Sequence, residues 1–383
     1  MAVDTFAEAE ALVDDVGPRP PGSGGERAAA EYLAGRLRAQ GRCAEIEPLP
    51  VWPRWPLAYV LHAVAGIAAS LVSLAEPWIG AGLAGLVTVL TLLDATGLVT
   101  TTRRLLGRRE SSNVVSWGEQ ERPGALVLVA HRDTGPGGLA ASDSVRRRLA
   151  ALPVSAYSLL CWSLAAVLVV CLLRLAGVSG AVLDAAQLAI TSGLIAAVLL
   201  LLGLALAQPQ AGENDNASGV ALVLRLAEQA QTRHFGVHVL LTGSRTAFAQ
   251  GMRAFLLRHG GALDREHTVV LNLDALGDGS PRYSRRDGPL LTRRSHVQLV
   301  ELCSGVAEDS PEPAPGSLVL RSPNDGYAAR AARLPAITIT CRDNRGYASR
   351  RLTERSLAQA EAFCLELIRR LDAEVGPDLS PRR

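Results

Sequence analysis

Gly212-Glu213-Asn214-Asp215-Asn216-Ala217-Ser218-Gly219-Val220-Ala221 sets a carboxylate between two amides, then small residues, then the apolar start of a helix. The chemistry of that order is a metal-ligand turn. Asp215 falls just before a helix N-terminus, where exposed backbone N–H groups and the helix dipole favour an anion. Asn214 and Asn216 are suited to hold the loop through local side-chain-to-backbone hydrogen bonds. Ala217, Ser218 and Gly219 leave room for close approach. The plainer alternative is an Asn/Asp-rich turn that caps an ordinary helix.

Two further segments bear on that choice. Ala125-Leu126-Val127-Leu128-Val129-Ala130 is a continuous apolar run without helical spacing, the pattern of a buried strand. It ends at His131-Arg132-Asp133-Thr134, followed by Gly135-Pro136-Gly137-Gly138. An imidazole and a carboxylate two residues apart at a strand end suit a metal-bound His131 oriented by Asp133. Thr268-Val269-Val270-Leu271-Asn272-Leu273-Asp274 reads as another strand ending in a carboxylate. Alone, each fragment is a strand with a polar turn; in this order, the three point to one site.

These residues resemble the co-catalytic zinc peptidases of the aminopeptidase and glutamate-carboxypeptidase-like family. That family carries a His-x-Asp strand end, an Asp-Asn-Ala-Ser-Gly loop, a Glu-Glu pair, a strand-end Asp and a late His. The likeness extends to Gly17-Pro18-Arg19-Pro20-Pro21-Gly22-Ser23, and to Asn324-Asp325-Gly326-Tyr327 through Leu334-Pro335-Ala336, similar to a Ser-Asp-His loop leading to Gly-Ile-Pro. It covers most of residues 5–50, 110–145 and 210–370. The resemblance implies an α/β fold: a three-layer, zinc-exopeptidase-like domain on a mixed, eight-stranded sheet.

The departures from that pattern are specific. The Glu-Glu pair, implied to supply the general base and a metal ligand, should follow Val237-His238-Val239-Leu240-Leu241. Thr242-Gly243-Ser244-Arg245 stands there, with Ser244 in the base position, and no Asp or Glu occurs from Gln231 to Leu263. The late His is missing as well. The last histidine is His296, Tyr347-Ala348 replaces Tyr-His, and Gly326 holds the third place of the Ser-Asp-His loop.

By resemblance, His131, Asp215 and Asp274 would hold one metal, with Asp215 bridging to a second whose remaining ligands are gone. A two-metal hydrolase clamps nucleophile and oxyanion between ions roughly 3.5–4 Å apart. Loss of one ion and of the proton acceptor predicts that hydrolysis by the family route fails by many powers of ten. Three ligands still suffice for a single zinc with an open fourth position, so at most one zinc is expected, or none. Asp325 and Asp343 are candidate substitute ligands or bases. Arg245 brings a permanent positive charge where a carboxylate would be. It either pairs with Asp215 or Asp274, filling the vacated metal position, or points to solvent.

Two apolar blocks interrupt the peptidase-like pattern, each long enough for a helical hairpin. The first holds Leu57–Ala75 and Trp78–Val99, broken at Glu76-Pro77; the second holds Leu152–Leu173 and Ala181–Ala207, parted by Arg174 and a glycine-rich turn. A span needs about 20 mostly apolar residues, so four transmembrane helices are expected. Asp94 shortens the second, and His62, Asp94 and Asp184 are expected near the membrane interfaces. Two hairpins return the chain to one side, and arginines concentrate there, including Arg103, Arg104, Arg108, Arg109, Arg122, Arg132 and Arg146 to Arg148. That asymmetry predicts a cytoplasmic domain and termini. The resulting divisions are 1–55, 101–151 and 208–375 for the peptidase-like domain, 56–100 and 152–207 for the hairpins, and 376–383 for a tail.

The remaining sequence properties set bounds. A net charge of +2 and the lack of a strongly basic block argue against a nucleic-acid partner. All basic residues are arginine, which points to GC-rich coding. Six cysteines without ligand spacing fit free thiols. Helices are expected near 25–40, 218–231, 247–258, 296–307 and 353–373. Strands are expected near 113–116, 125–130, 237–242, 268–273, 317–320 and 336–340. Three functional readings follow. The first is a membrane-anchored pseudopeptidase that binds a peptide, lipid or protein partner. The second is an active metallopeptidase, aminopeptidase or amidohydrolase with one metal and a substitute base. The third is a docking subunit of a membrane complex.

Overall fold

The computed structural model describes residues 4–97, 100–119, 121–138, 142–209, 216–310, 315–343, 347–349 and 351–379; Asp215 lies outside them. The chain begins α1 (Thr5–Val16), α2 (Gly24–Ala39), β1 (Glu45–Val51), α3 (Trp55–Val72), α4 (Pro77–Thr96), α5 (Thr101–Leu105), β2 (Arg109–Ser116) and β3 (Gly124–His131). It continues α6 (Asp143–Ala150), α7 (Ala156–Leu175), α8 (Ala181–Leu206), α9 (Ala217–Gln229), β4 (Phe235–Thr242), α10 (Gln250–His259) and β5 (Thr268–Leu273). The last elements are β6 (Pro281–Asp287), β7 (Arg293–Arg294), α11 (Val297–Glu308), β8 (Gly316–Leu320), α12 (Asp325–Ala331), β9 (Ala336–Cys341) and α13 (Glu354–Arg370). They form two compact units: Met1–Val51, Arg109–Gly135 and Pro209–Arg383, and Trp52–Arg108 with Pro136–Gln208.

The first unit is built on a sheet ordered β1-β2-β4-β3-β5-β9-β6-β7, with β8 paired to β6. Its centre, β4-β3-β5-β9, is parallel, and its flanks are antiparallel except for β8. The period-two alternation of a strand divides the β3 side chains between two cores. Leu126, Leu128 and Ala130 face a layer of α1, α2, α9, α11 and α13, while Val127 and Val129 face α10 and α12. Three layers result, as expected. The sheet has nine strands among the described residues rather than eight. β1 carries Pro48 and Pro50 yet pairs through seven positions with β2, which is permitted because it is an edge strand.

Register fixes the functional end of this sheet. His131 stands opposite Thr242, Ala130 opposite Leu273, and Leu273 opposite Ile339. The segments that leave β3, β4, β5 and β9 therefore converge at the carboxyl ends of the parallel strands, where such sheets place ligands.

The second unit is helical. α3, α4, α7 and α8, of 18, 20, 20 and 26 residues, are long and apolar enough to cross a membrane by length and composition. Large apolar side chains lie on its outside, among them Leu61, Leu86, Trp162, Leu188 and Leu199. Several polar groups are turned inward, among them His62, Asp94 and Arg103. Arg103 of α5 donates to Asp94 Oδ2 through Nε at 2.8 Å and Nη2 at 2.6 Å. His62 is buried between Thr91, at 3.0 Å, and Thr102, at 2.8 Å. Asp184 is exposed and pairs with Arg174 at 2.6 Å. Residues 101–108 and 136–151, grouped with the peptidase-like part in the sequence, belong to this helical unit; the Arg103–Asp94 pair ties α5 to α4.

Candidate functional site

Asn216 is the residue around which the strand ends are assembled. It adopts φ 57°, a left-handed conformation that asparagine tolerates better than most residues. Its Nδ2 donates to the carbonyls of His131 at 3.1 Å and Leu273 at 3.0 Å, and its Oδ1 accepts from Ala275 N at 2.8 Å. The expected local loop bonds are replaced by long-range ones that clamp β3 to β5. Ser218 Oγ adds an acceptor for Leu276 N at 3.0 Å. Gly219 is needed here because a Cβ would collide with the Asn216 side chain and lie 2.8 Å from the Leu273 carbonyl. Glu213, Asn214 and Asp215 lie outside the described residues, so the proposed bridging ligand has no described position.

The structure brings His131 and Asp274 together. His131 Nε2 is 3.5 Å from Asp274 Oδ1, and its Nδ1 is 3.0 Å from the Asp133 carbonyl and 3.4 Å from the Asp133 carboxylate. Burial opposes a charge on this imidazole, but the Asp133 and Asp274 carboxylates outweigh it and raise the group to about 9. Asp133 also does something the spacing does not reveal. Its Oδ1 accepts from Arg245 N at 2.8 Å, and its Oδ2 accepts from Thr246 N at 2.8 Å and Thr246 Oγ1 at 2.6 Å. It fixes the turn that carries Arg245.

The guanidinium of Arg245 lies on Asp274. Nη2 donates to Asp274 Oδ2 at 2.6 Å, and Arg342, just past β9, approaches the same oxygen at 3.4 Å. Burial alone would disfavour the Asp274 carboxylate, yet Arg245, then His131 and Arg342, hold it well below the usual carboxylate range. Of the two outcomes open for Arg245, pairing is the one observed, with Asp274. Zinc, which the resemblance implies, fits this arrangement poorly. A divalent cation at Asp274 would face the guanidinium groups of Arg245 and Arg342.

The other departures from the family pattern are also accounted for. Ser244 is buried at φ 54°; its N donates to Glu26 Oε1 at 2.8 Å, and its hydroxyl has no partner among the described residues. A serine sealed in this way is no base. At Gly326 a Cβ would collide with Thr338 Oγ1, which leaves no room for a histidine. Ala348 is buried and brings no ligand atom. Asp325 is buried at the start of α12: Oδ2 accepts from Thr242 Oγ1 at 2.7 Å, and Oδ1 has no partner. Burial raises its carboxyl to about 6. Asp343 instead accepts from Tyr347 N at 2.9 Å.

Three supporting residues carry no local sequence signal. Glu26 of α2 accepts from Gly22 N at 2.7 Å as well as from Ser244 N. Arg132 is fully buried, donating to the carbonyls of Glu26 and Leu241 and to Ser112 Oγ. Arg342 is reached only through the register of β9.

The comparisons with known proteins agree with this architecture. Residues 200–355 match the family model described as Peptidase family M28. A glutaminyl cyclase from Bacteroides thetaiotaomicron is similar at 14% identity and TM-score 0.54, over 96% of this chain and 98% of that one. A zinc aminopeptidase from Bacillus subtilis is similar at 10% identity and TM-score 0.53, over 98% and 96%. A Zn-dependent exopeptidase from Parabacteroides distasonis is similar at 14% identity and TM-score 0.53, over 96% and 98%. No curated protein matches the sequence. At these identities the structural likeness shows the fold. The fold is that of the zinc exopeptidases, and residues 200–355 make the chain similar to the M28-type, zinc-exopeptidase-like family.

Proposed function

We propose that this chain is a membrane-anchored pseudopeptidase, whose peptidase-like cleft binds a peptide or protein partner instead of hydrolysing one. The observation that carries this reading is the Arg245–Asp274 contact at 2.6 Å. It sets a fixed, non-exchangeable cation against a carboxylate that the family uses for metal, at the residue where a metal-ligand carboxylate is lost. The described carboxylates around Ser244 are already engaged: Glu26 accepts from Gly22 N and Ser244 N, Asp133 from the 245–246 turn, Asp274 from Arg245, and Asp325 from Thr242 Oγ1. The cleft therefore keeps the scaffold of the reaction without its base. The partner class is a peptide or protein, and nothing in the charge distribution favours nucleic acid.

Anchoring by four transmembrane helices is supported by the length of α3, α4, α7 and α8 and by the outward apolar faces they carry. A cytoplasmic orientation of the peptidase-like unit draws on the exposed Arg104, Arg108, Arg109, Arg122, Arg147 and Arg148. Arg103 and Arg132, counted with them in the sequence, are buried, Arg103 paired with Asp94 and Arg132 hydrogen-bonded to Glu26, Leu241 and Ser112, and drop out.

A second reading, a hydrolase with a relocated base, is favoured by Asp325 alone: a buried carboxyl raised to about 6 with one oxygen unpartnered. Turnover of aminoacyl anilides and acyl amides by the full chain in zinc-supplemented detergent separates the two. No turnover above background is expected. Turnover that disappears in Asp325→Asn overturns the pseudopeptidase reading.

A further inference from the structure

A cavity of about 400 Å³ opens at the amino ends of β3 and β5, the end of the sheet opposite the His131–Asp274 cluster. Its size lies in the range of small-molecule sites. Trp117, His238, His259 and Leu263 wall it, and Pro123 to Ala125 form part of its lining. No feature of the peptidase-like mechanism uses it.

The wall is constructed, residue by residue. Gly118 and Gly236 let the 117–119 segment lie directly on β4: a Cβ at Gly118 would collide with the Val237 carbonyl, and one at Gly236 with the Glu119 carbonyl. That approach brings Gly118 N to 2.8 Å from His238 Nδ1, which accepts from it. Nδ1 is then the acceptor, so the ring proton resides on Nε2. His238 is 7% exposed, and burial together with the Arg42 charge lowers it to about 4, which keeps it neutral. Trp117 stacks on Phe255 at 5.9 Å between centroids and meets His238 edge-on at 5.3 Å. Neither the Trp117 indole N–H nor His238 Nε2 has a hydrogen-bond partner among the described residues.

The charges around the cavity are already matched. Arg122 pairs with Glu119 at 2.8 Å, His267 with Asp264 at 2.9 Å, and His259 with Glu47 at 2.7 Å. A ligand entering here meets neutral N–H donors on an aromatic wall and no unmatched charge. We propose that this cavity is a second binding site, for an uncharged planar ligand with a carbonyl acceptor, of the carboxamide class. The ring of such a ligand packs against Trp117, and its carbonyl oxygen accepts from Trp117 Nε1 and His238 Nε2. The site is independent of whether the strand-end cluster is catalytic.

Benzamide is a suitable probe, with benzylammonium as a ring lacking an acceptor and benzoate as an anionic counterpart. Each is titrated into the full chain in detergent while the Trp117 indole resonance, assigned by its loss in Trp117→Phe, is followed alongside calorimetry. The expected result is a saturable shift with benzamide and weaker binding of both other probes. Trp117→Phe keeps the stack on Phe255, and His238→Asn puts Oδ1 where Nδ1 accepts from Gly118 N while removing the Nε2 donor. Each should weaken benzamide by about five- to tenfold, the value of one hydrogen bond, with the melting temperature retained. Equal binding of benzamide and benzylammonium, tighter binding of benzoate, unchanged affinity in both folded variants, or no shift at saturating benzamide would each overturn the assignment.

Discussion

Replacing Arg245 by methionine leaves Asp274 as a buried carboxylate without its nearest cation. Removing one partner of a buried pair costs about 3–5 kcal/mol. Here the cost is reduced on three counts. The Arg245 side chain is 16% exposed, so water can enter the vacated volume, and Arg342 at 3.4 Å and His131 at 3.5 Å remain beside the carboxylate. About 2–3 kcal/mol is the expected loss. For a unit of about 250 residues this corresponds to a fall in melting temperature of about 5–10 °C. A thiol-reactive dye reads it out, because Cys303, Cys341 and Cys364 are buried in this unit and become labelled only as it opens. The double variant Arg245→Met/Asp274→Leu removes both charges and should recover most of the loss, a coupling of about 2 kcal/mol. An unchanged melting temperature in Arg245→Met, or a double variant that loses the sum of the two single effects, would refute the reasoning.

Asp325→Asn should change the pH dependence of stability. Its carboxyl is raised to about 6 in the fold from an ordinary value near 4, so the protonated form is favoured by folding. Its stabilising contribution is full below about pH 4, declines between about pH 4 and 6, and is absent above, a span of about 3 kcal/mol. The melting temperature of the wild type should therefore fall more steeply from pH 4 to 7 than that of the variant; parallel profiles would count against it. Asn216→Ala removes two buried hydrogen bonds and one partly buried one and places alanine at φ 57°, and should cost about 3 kcal/mol, with faster amide exchange at the ends of β3 and β5. Exchange that is unaltered there would show that the clamp is dispensable.

The parts of the fold that the sequence reveals are those whose physics is local. β3 and β5 are apolar runs buried on both faces, and α9 and α13 carry apolar faces of helical period, so their positions follow from periodicity. The four apolar helices are legible from composition for the same reason. β1 is hidden by Pro48 and Pro50, whose acceptability depends on its being an edge strand. β6 is hidden by three arginines and a bulge between Ser284 and Arg286. α12 spans only seven residues, too short to show a period.

The site divides along the same line. His131 and Asp274 are readable because each ends an apolar strand, and the absence of the Glu pair is a plain fact of composition. Which carboxylate Arg245 meets depends on the register of β4 against β3 and β5, which no local pattern encodes. Asn216 and Asp133 both look like local turn residues, yet each spends its hydrogen bonds on another segment. Arg132 follows a strand end as a loop charge would, and it is a buried brace between α2, β2 and β4.

The most direct test of the central claim is the zinc content of the full chain purified in zinc-containing buffer, measured beside Arg245→Glu and His131→Ala. If Arg245 takes the place of the metal, the wild type holds far less than stoichiometric zinc, His131→Ala changes nothing, and Arg245→Glu gains metal. Stoichiometric zinc in the wild type that is lost in His131→Ala would contradict it, and would return the chain to the working metalloenzymes.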